Sequence, residues 1–158
     1  MRLDQKYKTL FKQYGINTPL RVAHFMAQLS HESGGFKYLK ELGNNAYFKK
    51  YEGRKDLGNI FAGDGLKYKG RGFIQITGRA NYTELSKDLK IDFVNHPELL
   101  EQEANAIISA LWFWNKKGLN ALADADNITA ITKKINGGLN GFEDRKRLLE
   151  NYKNLLLV

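Results

Sequence analysis

The sequence contains no cysteine, which removes disulfide scaffolds, cysteine-ligated zinc, iron–sulfur clusters and thiol nucleophiles together. Proline is nearly as scarce: Pro19 and Pro97 are the only two, and both stand where a helix would begin. No stretch approaches the roughly 18 consecutive apolar residues of a membrane-spanning helix. The opening MRLDQKYKTLFKQYG mixes charged and apolar residues without a continuous hydrophobic run, which argues against a secretory signal peptide. Internal repeats, low-complexity tracts and Pro/Ser-rich linkers are missing too. A length of 158 residues fits one domain, at roughly 100–200 residues per domain.

What is present is basic. Lys and Arg number 25 against 17 Asp and Glu, a formal net charge of +8 and a pI near 9.6. Nucleic acid, anionic lipid and acidic wall polymers all attract such a surface. A solvated basic face with no specific partner accounts for it as well. At 42% hydrophobic and 12% aromatic, the chain reads as globular rather than disordered.

Helical periodicity dominates. Leu3, Tyr7, Leu10, Phe11 and Tyr14 recur at three- and four-residue steps, predicting a first helix stopped by Gly15. Thr18-Pro19 reads as a cap and first helical position, followed by the apolar stripe Leu20, Ala23, Met26 and Ala27. That helix runs into His31-Glu32-Ser33 and is expected to fail at Gly34-Gly35. Residues 36–61 read as short helical pieces around polar turns. Further helices are expected over about 79–89, 98–117, 127–135 and 142–156. Between them, 62–78 is punctuated by five glycines, and Phe73, Ile74 and Ile76 predict a loop or small hairpin. The expected fold is mainly α, with one irregular glycine-rich loop/β region.

Glu32 is the first candidate for chemistry. It ends an apolar helix, where a carboxyl loses part of its hydration, and desolvation favours the protonated form that a general acid needs. A helix-end glutamate bonding its own turn explains it equally simply. Glu41 follows nine residues on. In an unbroken helix the two would lie about 13.5 Å apart on opposite faces. A break at Gly34-Gly35 permits them to face each other at the roughly 6.5–9.5 Å used by inverting glycosidases. Glu52 competes as the second carboxylate.

A metal site finds no footing, because the second histidine of an HExxH motif is replaced by Gly35. His24 and His96 have no ligand spacing, and His24 suits a core or capping role. Gly70-Arg71-Gly72 lacks the rest of a phosphate loop. No recognisable nucleic-acid module accompanies the basic charge.

Several motifs in order carry a resemblance: His31-Glu32-Ser33-Gly34-Gly35-Phe36, Glu41, Lys69-Gly70-Arg71-Gly72-Phe73-Ile74-Gln75-Ile76-Thr77 with Asn81-Tyr82, and Ile135-Asn136-Gly137-Gly138-Leu139. Over roughly residues 20–152 the chain resembles the family 19 glycoside hydrolases, which include chitinases and phage endolysins. Tyr51-Glu52-Gly53-Arg54, Gly63-Asp64-Gly65 and Thr77-Gly78-Arg79-Ala80 resemble the phage lysins in particular.

The resemblance implies a lysozyme-like helical domain whose glycine-rich region lines a cleft, and a single catalytic domain over 1–158 without a wall-binding module. It implies Glu32 as general acid, Glu41 as general base and Thr77, standing where the family has a serine, as a holder of the attacking water. Gln75, Asn81, Asn136, Tyr68 and Arg71 are implied as substrate-binding residues, and Arg145 as an arginine pairing with the acidic residues of the site. An arginine near two carboxylates favours their ionised forms, helping a base more than an acid.

Phe73 stands where chitinases commonly have proline, and Gly78-Arg79 where they have bulkier residues. Together with the short chain and the +8 charge, these departures turn the expectation toward peptidoglycan. The expected protein is a phage or prophage endolysin: a monomeric muramidase, made in the host cytoplasm and acting on wall glycan strands in the periplasm. It is expected to need no metal or cofactor and to bind neither nucleic acid nor membrane stably. A chitinase acting on chitin oligomers is the alternative with the same residues, and a lytic transglycosylase would need only one acidic residue. A non-catalytic wall-sugar-binding domain is the alternative from another class.

Overall fold

Thr18 and Pro19 start the helix that organises the N-terminal part of the chain. In the computed structural model, which describes residues 1–158, Thr18 Oγ1 accepts the Arg21 N–H at 3.2 Å and Pro19 occupies the first helical turn. The resulting helix, α3 (Pro19–Glu32), is preceded by α1 (Leu3–Lys6) and α2 (Lys8–Gln13). The expected first helix is thus two pieces, parted at Tyr7 with φ −111° and ψ 30°. Every residue of α3 from Ala23 to Ser30 is buried, so His24 and Gln28 must find partners inside.

Two compact units divide the chain: residues 1–35 with 111–158, and residues 36–110. In the first, α3 packs along α10 (Phe142–Leu156), with Ala23, Ala27 and Leu149 forming a buried cluster. Phe11 meets Phe25 edge-on at 5.1 Å, and Phe25 meets Trp114 at 5.3 Å. Asn127 caps α9 (Ile128–Asn136) by accepting the Ala130 N–H, and Gly137 ends it in the left-handed conformation at φ +81°. The short helix α8 (Leu119–Asp124) was not signalled by the sequence periodicity.

The second unit holds α4 (Asn45–Phe48), 3₁₀ turns at Lys49–Tyr51 and Lys55–Leu57, α5 (Asp64–Lys67) and α6 (Arg79–Leu89). The expected helix over 98–117 is instead a 3₁₀ turn at Pro97–Glu101 and α7 (Glu103–Lys116), separated by an extended Gln102. Residues as far as Ala110 belong to this unit and the remainder of α7 to the first. No helix is long and apolar enough to cross a membrane.

The expected β element does not form, and the chain contains no strand. Residues 62–78 hold α5 and a series of turns, with two isolated bridges, Lys40 to Arg71 and Arg71 to Ile76. The reason lies at Gln75, whose φ of +61° interrupts the extended run that Phe73, Ile74 and Ile76 suggested. Those three apolar side chains are all buried, so the apolar run reported packing rather than a hairpin.

Candidate active site

In the first unit, Glu32 is the last residue of α3, and Ser33 caps the helix by donating its hydroxyl to Leu29 O at 2.7 Å. Gly34 and Gly35 then take positive φ, just beyond the helix end that was expected at this pair. Arg145, in the first turn of α10, is buried and reaches three partners. Its Nη2 donates to Glu32 Oε1 at 2.6 Å, its Nη1 to Gln28 Oε1 at 2.6 Å and its Nε to Asn140 O at 3.0 Å. Gln28 Nε2 in turn donates to Thr132 Oγ1. The fork therefore pins one oxygen of Glu32 and leaves Oε2 without a protein donor.

His31 faces the same helix start. Its Nδ1 lies 2.7 Å from Asp144 Oδ2, and its ring is so close to Gly141 that any side chain there would overlap it. Gly141, at φ +71°, thus serves both as the turn into α10 and as a seat for the His31 ring. Asn136 is exposed at the end of α9, and its Oδ1 accepts the Asn140 N–H at 3.2 Å.

In the second unit, Glu41 and Gly70 are tied twice. Glu41 N–H donates to Gly70 O at 2.8 Å, and Gly70 N–H donates to Glu41 Oε1 at 3.2 Å. Tyr51 Oη donates to both carboxylate oxygens, at 3.1 Å to Oε1 and 2.8 Å to Oε2, while Tyr47 Oη donates to Oε2 at 3.0 Å. The Lys50 ammonium sits 3.8 Å from Oε2 and 3.7 Å from the centre of the Tyr47 ring. Burial, and then the hydrogen bond to Glu41, push the Tyr51 hydroxyl above its usual range, so it remains a donor. Lys69 is held below the usual lysine range by burial and by the neighbouring Arg71 and Lys40.

Gln75 joins this cluster. Its Nε2 donates to Gly72 O at 3.0 Å, and a Cβ on Gly70 would lie 2.6 Å from its Oε1 and 3.1 Å from Glu41 Oε1. Thr77 Oγ1 donates to Gln75 O, and Asn81 Nδ2 donates to Thr77 O. Tyr68 and Arg71 are buried and engaged with protein. Tyr68 Oη donates to Val94 O, while Arg71 bonds Glu101, Lys67 O and the Tyr82 hydroxyl. Glu52, the competing carboxylate, is exposed and accepts the Gly63 and Gly65 N–H groups, a turn-holding arrangement.

The structure thus gathers Glu41, Gln75, Thr77 and Asn81 in one unit, and Glu32 and Arg145 in the other, with Asn136 beside Asn140. Sequence reasoning missed Tyr47 and Tyr51 as partners of Glu41 and Gln28 as a partner of Arg145. The only available signal was two tyrosines four residues apart in a segment read as polar turns.

Comparison with known proteins bears on what these residues do. Residues 16–130 match the glycoside hydrolase 19 family, described as chitinase class I. That span contains Glu32, Glu41, Gln75, Thr77 and Asn81. The chain is 34% identical over 173 aligned residues to a glycosyl hydrolase family 19 domain-containing protein of Haemophilus influenzae, covering 91% of this chain and 84% of that one. It is 34% identical over 118 residues to an endochitinase of Arabidopsis thaliana, covering 74% of this chain and 39% of that protein. Chitinase C of Streptomyces griseus superposes with a TM-score of 0.73 at 26% identity, over 87% of this chain and 60% of that one. The chain therefore spans less than two thirds of the length of the plant endochitinase and of the Streptomyces enzyme.

These likenesses overturn the expectation of a peptidoglycan-cleaving muramidase and of wall glycan as the partner. The relatives described by activity are chitinases, from bacteria and plants, and give no support to a phage lysin. The departures that pointed to peptidoglycan have packing causes instead. Phe73 is buried and stacks edge-on with Phe36 at 5.7 Å. Gly78, at φ +93°, admits no Cβ, which would fall 2.7 Å from Leu57 Cβ and O. Arg79 is committed to a bidentate pair with buried Asp64, at 2.8 and 2.9 Å, which holds that carboxyl below its ordinary range. The +8 charge names an anionic partner no more specifically than it did.

Proposed function

As the chain belongs to the family 19 glycoside hydrolases, we propose that it hydrolyses the β-1,4 bonds of chitin, with Glu32 as proton donor and Glu41 as general base. The observation that carries this reading is the pair of partly exposed, firmly hydrogen-bonded glutamates in a chain similar to chitinases over most of its length.

With Arg145 on Oε1, the transferable proton of Glu32 belongs on Oε2 and passes to the leaving glycosidic oxygen. Water attacks the anomeric carbon from the opposite face and gives its proton to Glu41, so the bond is replaced in one displacement with inversion. Thr77 spends its own proton on Gln75 O and offers its lone pairs to that water. Gln75, Asn81 and Asn136 supply amide groups suited to the hydroxyl and N-acetyl groups of the sugar.

The test is digestion of chitin hexamer followed by proton NMR of the nascent reducing ends. Fresh α-anomer, lost in Glu32→Gln and Glu41→Gln, is expected. Fresh β-anomer would overturn the single-displacement chemistry. Folded protein that cuts purified peptidoglycan but not chitin oligomers would overturn the substrate.

A further inference from the structure

Glu41 is crowded for a group that has to accept a proton. A carboxylate offers about four lone-pair sites. Gly70 N–H donates to Oε1, the Tyr47 hydroxyl to Oε2, and the single Tyr51 hydroxyl proton is shared between the two oxygens, with the Lys50 ammonium 3.8 Å from Oε2. With three donor protons already on the carboxylate, a water that delivers its own proton has to compete with one of them for a lone pair.

The three donors differ in how firmly they are held. Gly70 is backbone and is tied reciprocally to Glu41. Tyr51 is half-buried, its ring stacks on buried Phe48 at 6.5 Å and its carbonyl accepts Asn59 Nδ2 at 2.9 Å. Asn59 is itself fully buried and also accepts the Arg79 N–H, which anchors the Tyr51 backbone to the start of α6. Tyr47 is held from the surface side instead: its ring meets Phe48 edge-on at 5.2 Å and the Lys50 ammonium at 3.7 Å, and its N–H donates to exposed Asn44. It lies on the four-residue helix α4 and is 43% exposed. On Glu41 its hydroxyl reaches Oε2 alone, at 3.0 Å.

Resting on the reading of Glu41 as the base, we infer that Tyr51 is a positioning residue that fixes the Glu41 carboxylate, and that the Tyr47 hydroxyl is the displaceable donor. Tyr47 holds the lone pair that the attacking water takes over when substrate is bound. The two tyrosines, four residues apart and alike in chemistry, therefore act in opposite senses on the same oxygen. Tyr51 supports catalysis, and Tyr47 competes with it.

The experiment is steady-state hydrolysis of a chitin oligomer by Tyr51→Phe, Tyr47→Phe and Glu41→Gln, each checked for thermal unfolding. Tyr51→Phe keeps the ring stack and the Asn59 contact, so it is expected to fold normally. Its kcat should fall about 10–100-fold with KM little changed, as for a misplaced catalytic group. Tyr47→Phe should raise kcat about 2–10-fold, the range of one modest hydrogen bond removed from competition. A Tyr51→Phe enzyme of normal kcat, or a Tyr47→Phe enzyme whose kcat is unchanged or lower, would overturn the inference. If Glu41→Gln keeps its kcat, the base assignment itself fails and the inference with it. If Glu41→Gln is inactive but the tyrosines do not diverge, the inference alone fails.

Discussion

Replacing Gly70 by alanine is expected to damage turnover far more than stability. Gly70 does not adopt the left-handed backbone that would itself exclude a side chain. Its restriction is local: a Cβ would stand 2.6 Å from Gln75 Oε1 and 3.1 Å from Glu41 Oε1, where ordinary contact begins at 3.4 Å. The amide of Gln75 must therefore retreat by about 0.8 Å and the Glu41 oxygen by about 0.3 Å. Gln75 has little room to do so through its backbone, which already sits at φ +61°. Its side chain has to swing instead, at the expense of the 3.0 Å bond to Gly72 O. Because the far end of a flexible side chain absorbs most of the clash, the stability cost is about 1 kcal/mol. That lowers Tm by roughly 2–4 °C. Displacement approaching 1 Å at a catalytic cluster costs on the order of 100-fold in rate. Chitin-oligomer kinetics beside thermal unfolding decide the matter. Gly65→Ala is the contrast, since its Cβ meets backbone atoms of Glu52 and Phe48 at 2.8 and 2.9 Å and should cost stability first. A Gly70→Ala enzyme with kcat within about twofold of wild type would refute the reasoning.

Three further outcomes are expected. Arg145→Met leaves Glu32 and Gln28 without their shared buried donor, so stability should drop by about 3 kcal/mol, the low end for a broken buried pair because Glu32 is partly exposed; denaturant unfolding measures it, and an unchanged midpoint contradicts it. His24 is fully buried, with Nε2 2.6 Å from Asp126 Oδ1 and Nδ1 without a partner, and burial holds it below its ordinary pKa, against the pull of Asp126. The unfolded chain therefore takes up a proton that the folded chain refuses, and stability is lost as pH falls below about 6.5. Plotting Tm against pH should show this decline in the wild type and a flatter curve in His24→Gln. Glu52→Gln should keep its activity on chitin oligomers with a small loss of stability from the Gly63–Gly65 turn, and an inactive but folded variant would make Glu52 the base.

Periodicity in the sequence located α3, α6, α9 and α10 because each is long enough for a repeating apolar face and has a cap or a glycine at its end. It failed where tertiary contacts override local pattern. The run Phe73-Ile74-Gln75-Ile76 reads as extended, yet Gln75 turns left-handed so that its amide reaches Gly72 and lies against Gly70. Glu32 was legible from its place at a helix end before two glycines. The bonds from Tyr47 and Tyr51 to Glu41 were not, because they depend on a turn of α4 and the following 3₁₀ segment that has no periodic signature. Phe73 and Gly78 show the converse error: residues that looked like a change of substrate are fixed by what they pack against.

The Arg145–Glu32 pair spans 113 residues of chain. On a ribosome adding about 5–20 residues per second, the carboxylate exists for roughly 6–23 s before the arginine that pins it is made. The contacts of Glu41 need nothing later than Gly70 and close much sooner. Glu32 is thus the later of the two glutamates to gain its partners, and a nascent chain carries it unpinned until α10 has docked on α3.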